Sequence, residues 1–154
     1  EDIRPLDIRA KCRRLGRFGP LDLVIVDYLG LMLTKTTQAD QVAEMGTISR
    51  LMKQLAKATD APVVVGSQLT RAVESRDGRR PSLHDLRQSG QIEADADCVL
   101  LMYNERAADR KKGVGQSGEI EIDVAKQRNG PIGVVPAYFN AEFTRFDNLV
   151  KGGL

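Results

Sequence analysis

Three short, nearly continuous apolar runs punctuate this chain. Leu21-Asp22-Leu23-Val24-Ile25-Val26-Asp27-Tyr28, Val63-Val64-Val65-Gly66-Ser67-Gln68 and Cys98-Val99-Leu100-Leu101-Met102-Tyr103 have the length and aliphatic content of strands buried on both faces. Between the first two the period changes. Val42, Met45, Ile48, Met52, Leu55 and Ala56 recur mostly at three- and four-residue steps, with Arg50, Lys53 and Lys57 on the wetter side. That spacing predicts an amphipathic helix over residues 39–58, closed by Asp60-Ala61-Pro62. A shorter helix over 6–15 has Pro5 in its first turn and Gly16 as its stop, and Gly19-Pro20 turns the chain into the first strand. Residues 34–39 are polar and read as a loop.

Downstream the pattern loosens and then alternates. Residues 69–92 are polar and punctuated by glycine and proline, too long for an idle connection, and 104–117 form a charged loop. Glu119-Ile120-Glu121-Ile122-Asp123-Val124 alternates strictly, as a half-exposed antiparallel strand does. Asn129-Gly130 is a strong hairpin signal leading into residues 132–139, where Pro136 requires an edge or a bulge, and a last short strand includes 143–146. Helix–strand alternation with an antiparallel finish predicts an α/β fold. It is a mostly parallel sheet flanked by helices, with an antiparallel hairpin at the carboxyl-terminal end, in one domain over 1–154.

Composition narrows the function classes. A domain of 154 residues buries about 70% of its unfolded surface, and 42% hydrophobic with 29% charged residues is ordinary for a globular chain. With 23 basic and 21 acidic residues the net charge is +2, so any nucleic-acid surface must be a local patch. Basic residues do cluster, in 11–17, 71–80 and 110–112, although a solvated face has the same composition. Cys12 and Cys98 form no CxxC pair and His84 is the single histidine. This argues against a structural zinc site and a secreted disulfide framework, and favours two reduced thiols in a cytoplasmic protein. No apolar run approaches the ~20 residues of a membrane span, and the amino terminus is not a signal peptide. Its lack of an initiator methionine fits a chain cut from something longer.

Four segments carry candidate chemistry. Asp27 ends an apolar strand at the carboxyl edge of the sheet, the place of an acid that serves a Mg²⁺–nucleotide, usually through water. A phosphate-loop ATPase carries GxxxxGK[ST] ahead of that strand, and no such loop occurs in this chain. An aspartate that merely caps a turn gives the same local pattern. Gln68 ends the next strand in the same manner, and its amide can both donate to a γ-phosphate and orient water. Arg87-Gln88-Ser89-Gly90 joins a guanidinium to small residues and a glycine, suiting a nucleic-acid phosphate as well as an ordinary surface turn. Lys126-Gln127-Arg128 places two cations beside the hairpin turn. Strand alternation would point both to one side, as an arginine finger or as two solvated charges. Gly113-Val114-Gly115-Gln116-Ser117-Gly118 matches GxGxxG, but it follows a charged stretch and opens a strand, so it is not read as a dinucleotide loop.

Taken in order, LDLVIVDYLGLM (21–32), VVVGSQLTRAVESRDGRRPSLHDLRQSGQIEADAD (63–97) and KQRNGPIG (126–133) closely resemble the DnaB-type replicative DNA helicases and their RecA-like ATPase domain. The similarity runs from about Arg9 to Asn148. The resemblance implies a role for each matching residue. Asp27 becomes the Walker B acid acting on Mg²⁺ and water, and Gln68 the group linking the γ-phosphate of ATP to the DNA-facing loop. Arg87, Gln88, Ser89 and Gly90 become that loop, gripping single-stranded DNA, and Lys126 and Arg128 a pair reaching into the next subunit's ATP. It also implies a hexameric ring, with a primase and a helicase loader as further partners and no membrane. The phosphate-binding loop and the catalytic glutamate are expected upstream of Glu1, so the RecA-like domain would be truncated on its amino-terminal side and inactive in ATP hydrolysis by itself. Gly30 stands where the family usually has glutamine, and Gln88 where glutamate is common. The competing expectation is a non-catalytic RecA-like module that only binds DNA or a neighbouring subunit. A recombinase of the wider RecA class is disfavoured by the KQRNGPIG and LRQSG segments.

Overall fold

The computed structural model describes residues 4–35, 37–70, 73, 80–86, 90–104 and 117–149. The chain divides into two compact units, residues 1–70 with 86–96, and 71–85 with 97–154.

In the first unit, helix α1 (Pro5–Leu15) begins with proline at its first position, where a missing N–H costs nothing. Asp7 accepts from the Arg4 amide at 3.1 Å, and the Gly16 amide closes the last turn on the Cys12 carbonyl at 2.8 Å. Gly19, at φ 155°, lies in the left-handed half of backbone space that only glycine adopts freely, and so makes the turn before Pro20. Strand β1 (Val24–Val26) pairs in parallel with β2 (Val63–Val65), Val24 opposite Val63 and Val26 opposite Val65. Helix α2 (Gln38–Thr59) joins them, capped at its start by the Thr37 hydroxyl and at its end by Asp60 in the left-handed conformation. Met45, Ile48, Met52 and Leu55 form its buried stripe, as the period predicts. Helix α3 (Gly90–Asp95) packs on α2.

The apolar run of β1 reads as buried on both faces, and here the structure differs. Val26 is buried, whereas Ile25 and its cross-strand partner Val64 are 68% and 55% exposed. The helix α2 side of the pair is covered and the other side is open. An apolar run shows that a face can be buried, not what covers it.

The second unit is a four-stranded antiparallel sheet in the order β3 (Cys98–Tyr103), β4 (Gly118–Gln127), β5 (Gly133–Asn140), β6 (Arg145–Asn148). The α/β class and the antiparallel finish are as expected. Among the described residues the β1–β2 pair is the parallel part. The third apolar run, expected as another buried strand, instead alternates: Val99 and Leu101 are buried while Leu100 and Met102 are 58% and 61% exposed. Its pairing with β4 gives it one packed face and one open one. Pro136 lies where β6 has already ended, since β6 pairs only with 137–140, so β5 is locally an edge there. Gly118 opens β4, in keeping with rejection of the GxGxxG match.

Arg80 is moored to this sheet. Its guanidinium holds both oxygens of Glu121, with Nη2 to Oε1 at 2.8 Å, and lies 4.9 Å from the centre of the Tyr103 ring. Tyr103 and Glu121 are cross-strand partners, so one arginine grips both strands.

Candidate functional site

Because β1 and β2 are parallel and in register, both leave the sheet at the same end. Asp27 follows β1 by one residue and Gln68 follows β2 by three, and both are exposed. The structure therefore places these two predicted groups at one carboxyl edge, where ligands bind in open α/β sheets.

Gly66 braces that edge. Its N–H donates to the Val26 carbonyl at 2.9 Å, and its own carbonyl accepts from the Leu29 N–H at 3.0 Å. These bonds bracket the Asp27–Tyr28 pair, whose peptide is cis. A methyl group on Gly66 would stand 3.2 Å from Asp27 Oδ1 and 3.3 Å from Tyr28 Cβ. One on Gly30 would meet the Tyr28 ring at 2.5 and 3.1 Å, so the tyrosine ring fills the space that a side chain at position 30 would need. Gly30 lies in the single 3₁₀ turn Leu29–Met32 that follows.

Beyond this turn the chain is held by a feature the sequence reading missed. Glu44 Oε2 accepts from the amides of Thr34 and Lys35 at 2.9 and 3.0 Å, and Oε1 accepts from the Thr34 hydroxyl at 2.6 Å. Gln41 Nε2 donates to the Lys35 carbonyl at 2.8 Å. The Thr34 hydroxyl bond, with the two amides and the Lys35 charge, holds the Glu44 carboxyl below its ordinary value despite some desolvation. Gln41 and Glu44 are three apart on α2, a spacing that puts both on one helix face. That spacing was the only signal available.

Gln68 connects directly to the next predicted segment. Leu69 forms an isolated antiparallel bridge with Leu86. Arg87, Gln88 and Ser89 lie outside the described residues; Gly90 is exposed and opens α3. At the sheet tip β4 ends at Gln127, so Lys126 lies within the strand and Arg128 one residue beyond it. Lys126 is half-buried opposite Val99, while Arg128 is exposed beyond the strand. The Arg128 amide donates to the Asp97 carbonyl at 2.8 Å and its Nε lies 3.4 Å from Asp97 Oδ1. Positive φ falls at Asp60, Thr144 and Gly19 among the described residues, not at Asn129 or Gly130. The connection is thus a wider loop than a two-residue type I′ turn.

Among the described residues no three or more His, Cys, Asp or Glu side chains gather to hold a metal. Asp27 alone fits Mg²⁺, which keeps most of its waters and takes one or two carboxylates plus substrate phosphates. No helix among the described residues is long and apolar enough to cross a membrane.

A strand-end acid and a strand-end amide thus share one sheet edge, and an antiparallel sheet follows in the chain. The model of the DnaB-like helicase C terminal domain matches residues 1–148, and the chain belongs to that family. It is 43% identical over 150 residues to the replicative DNA helicase DnaB of Haemophilus influenzae, covering 97% of this chain and 32% of that protein. The solved structure of a DnaB-like replicative helicase, described with its interactions with primase, superposes with a TM-score of 0.83 at 36% identity, covering 95% of this chain and 35% of that one. A solved ATPase domain gives 0.80 at 35% identity, covering 95% of this chain and 51% of that one. The chain spans about a third of the length of the curated relatives it matches.

Proposed function

We propose that this chain is the carboxyl-terminal motor part of an ATP-dependent replicative DNA helicase that separates duplex DNA by moving along one strand. The observation that carries the reading is the common sheet edge of Asp27 and Gln68 in a chain that belongs to the DnaB-like family. Mg²⁺–ATP, when bound, supplies the phosphoryl group whose transfer to water drives the cycle. Asp27 would hold the ion through water, as an exposed carboxylate suits. Gln68 would offer its amide to the γ-phosphate and so register whether it is present. The bridge from Leu69 to Leu86 leads from that amide to Arg87, Gln88, Ser89 and Gly90, which grip the phosphates of single-stranded DNA.

Lys126 and Arg128 serve a neighbouring copy. Arg128, exposed and tied to Asp97, is available at the sheet tip to stabilise negative charge on a nucleotide held by the next subunit. This requires a closed ring, a hexamer, working in the cell interior with a primase and a helicase loader as further partners. The test is strand separation by the full-length protein on a forked duplex. ATP- and Mg²⁺-dependent release of one strand supports the reading; DNA binding with no unwinding under any nucleotide favours a non-catalytic module.

A further inference from the structure

The basic cluster at 11–17 has no part in the proposed function, and it lies on an exposed helix and the turn that ends it. Helix α1 packs on α2 and buries Cys12, while Arg9, Lys11, Arg13, Arg14 and Arg17 are exposed. Within residues 4–18 the cations Arg4, Arg9, Lys11, Arg13, Arg14 and Arg17 stand against one acid, Asp7. The Asp7 carboxylate accepts from the Arg4 amide at 3.1 Å, at the helix start. Arg9 and Arg13 are four apart and so share one side of the helix. Arg17 follows four residues later. Its turn is held by the Arg17 amide on the Arg14 carbonyl at 3.3 Å and the Phe18 amide on the Leu15 carbonyl at 2.9 Å. The free carbonyls at a helix end favour cations in the last turn, which accounts for Arg13 and Arg14 but not for Arg9 or Lys11. Like charges at this spacing repel, a cost that an anionic chain lying along the stripe removes. Phe18 ends the stripe. At 88% exposure it is more open than any other large apolar side chain among the described residues.

We infer that this face of α1 is a second contact for single-stranded nucleic acid, with Arg13 and Arg17 holding backbone phosphates and Phe18 stacking on a base. Residues 87–90 take no part in it; only the choice of a single strand as ligand rests on the proposed function. Two observations select the occupant. Arginine rather than lysine dominates the stripe, and its planar fork suits the paired oxygens of phosphates and carboxylates. The exposed ring beside Arg17 then separates those two ligands. A nucleic-acid base offers a flat face on which phenylalanine stacks, and an acidic side chain does not.

The test is binding of a fluorescent oligothymidylate by the full-length protein over a salt series, with assembly followed by sedimentation. Arg13→Ala/Arg17→Ala should bind more weakly, with the slope of log affinity against log salt shallower by about 1.4, the value for two lost single-strand phosphate contacts. Arg13→Lys/Arg17→Lys should keep most of the slope. Phe18→Leu should bind more weakly at the wild-type slope, because stacking releases no counterions, and Phe18→Trp should restore binding. If the double alanine variant keeps the wild-type slope while Arg87→Ala loses it, the α1 contact is overturned and the proposed function stands. Failure of the wild-type protein to bind oligothymidylate overturns both. Wild-type binding by Phe18→Leu removes the ground for choosing a nucleic acid over an acidic protein segment and overturns the contact. Smaller assemblies or a lowered melting temperature in the double alanine variant mark a contact between copies or a structural role, and also overturn it.

Discussion

Leu69 and Leu86 form an antiparallel bridge that joins the residue after Gln68 to the residue before Arg87. The bridge ties the backbone beside Gln68 to the backbone that enters residue 87, the two places to which we assign nucleotide sensing and DNA contact under the proposed function. Leu86 is 8% exposed, so its side chain anchors the bridge in the core. Leu86→Ala should cost about 2–4 kcal/mol of stability through lost burial and a cavity. In the full-length protein it should lower the stimulation of ATPase by single-stranded DNA more than the rate without DNA. Paired ATPase assays with and without oligothymidylate check this, and an unchanged stimulation ratio would separate the bridge from coupling.

Arg87→Ala should weaken single-strand binding nearly uniformly across sequences, because phosphate contacts carry no base information. Its salt slope should fall by about 0.7. Titrations on oligothymidylate and oligoadenylate at several salt concentrations measure both.

Under the proposed role of Arg128 on a neighbour's nucleotide rather than its own, Arg128→Ala should reduce ATP turnover strongly while leaving nucleotide affinity near wild type. Mixed assemblies of wild-type and variant subunits provide the check. Turnover should fall faster than the fraction of variant subunits, and a strictly proportional fall would contradict the finger assignment.

Glu44→Gln should loosen residues 34 and 35, whose amides the carboxylate holds. A charge-assisted set this close to solvent contributes about 1 kcal/mol. The sign follows from the lowered carboxyl value. Stabilisation is complete above the unfolded glutamate value of about 4.3 and is lost as pH falls through the lower folded value. Faster amide exchange at Thr34 and Lys35 in the variant at neutral pH, converging with wild type in acid, is the expected result.

Much of this architecture is legible because it is local. The period of Met45, Ile48, Met52 and Leu55 marks α2, and the short aliphatic runs ending at Asp27 and Gln68 mark strands with polar groups at their exits. The partly open faces of β1 and β3 are not legible, because Ile25 and Leu100 are as apolar as their buried neighbours Val26 and Leu101. Nor is the mooring of Arg128. Asn129-Gly130 signals a reversal, but the tip geometry is set by Asp97, which is distant in sequence. Glu44 escaped notice for the same reason: a glutamate on a helix is unremarkable until the loop it holds is placed beside it. The local pattern at Lys126, Arg87 and Gln88 suited phosphate contacts and solvated charges alike, and the resemblance to a family chose between them.

The central claim is that Asp27 is the acid of an ATP-driven strand-separating motor. The most direct test is DNA-stimulated ATPase of the full-length protein, wild type beside Asp27→Ala, over a Mg²⁺ series. Wild-type turnover should require Mg²⁺ and rise with single-stranded DNA, and Asp27→Ala should hydrolyse almost no ATP at any Mg²⁺ concentration while still binding DNA. Turnover by Asp27→Ala close to wild type, with the same Mg²⁺ dependence, would contradict the account.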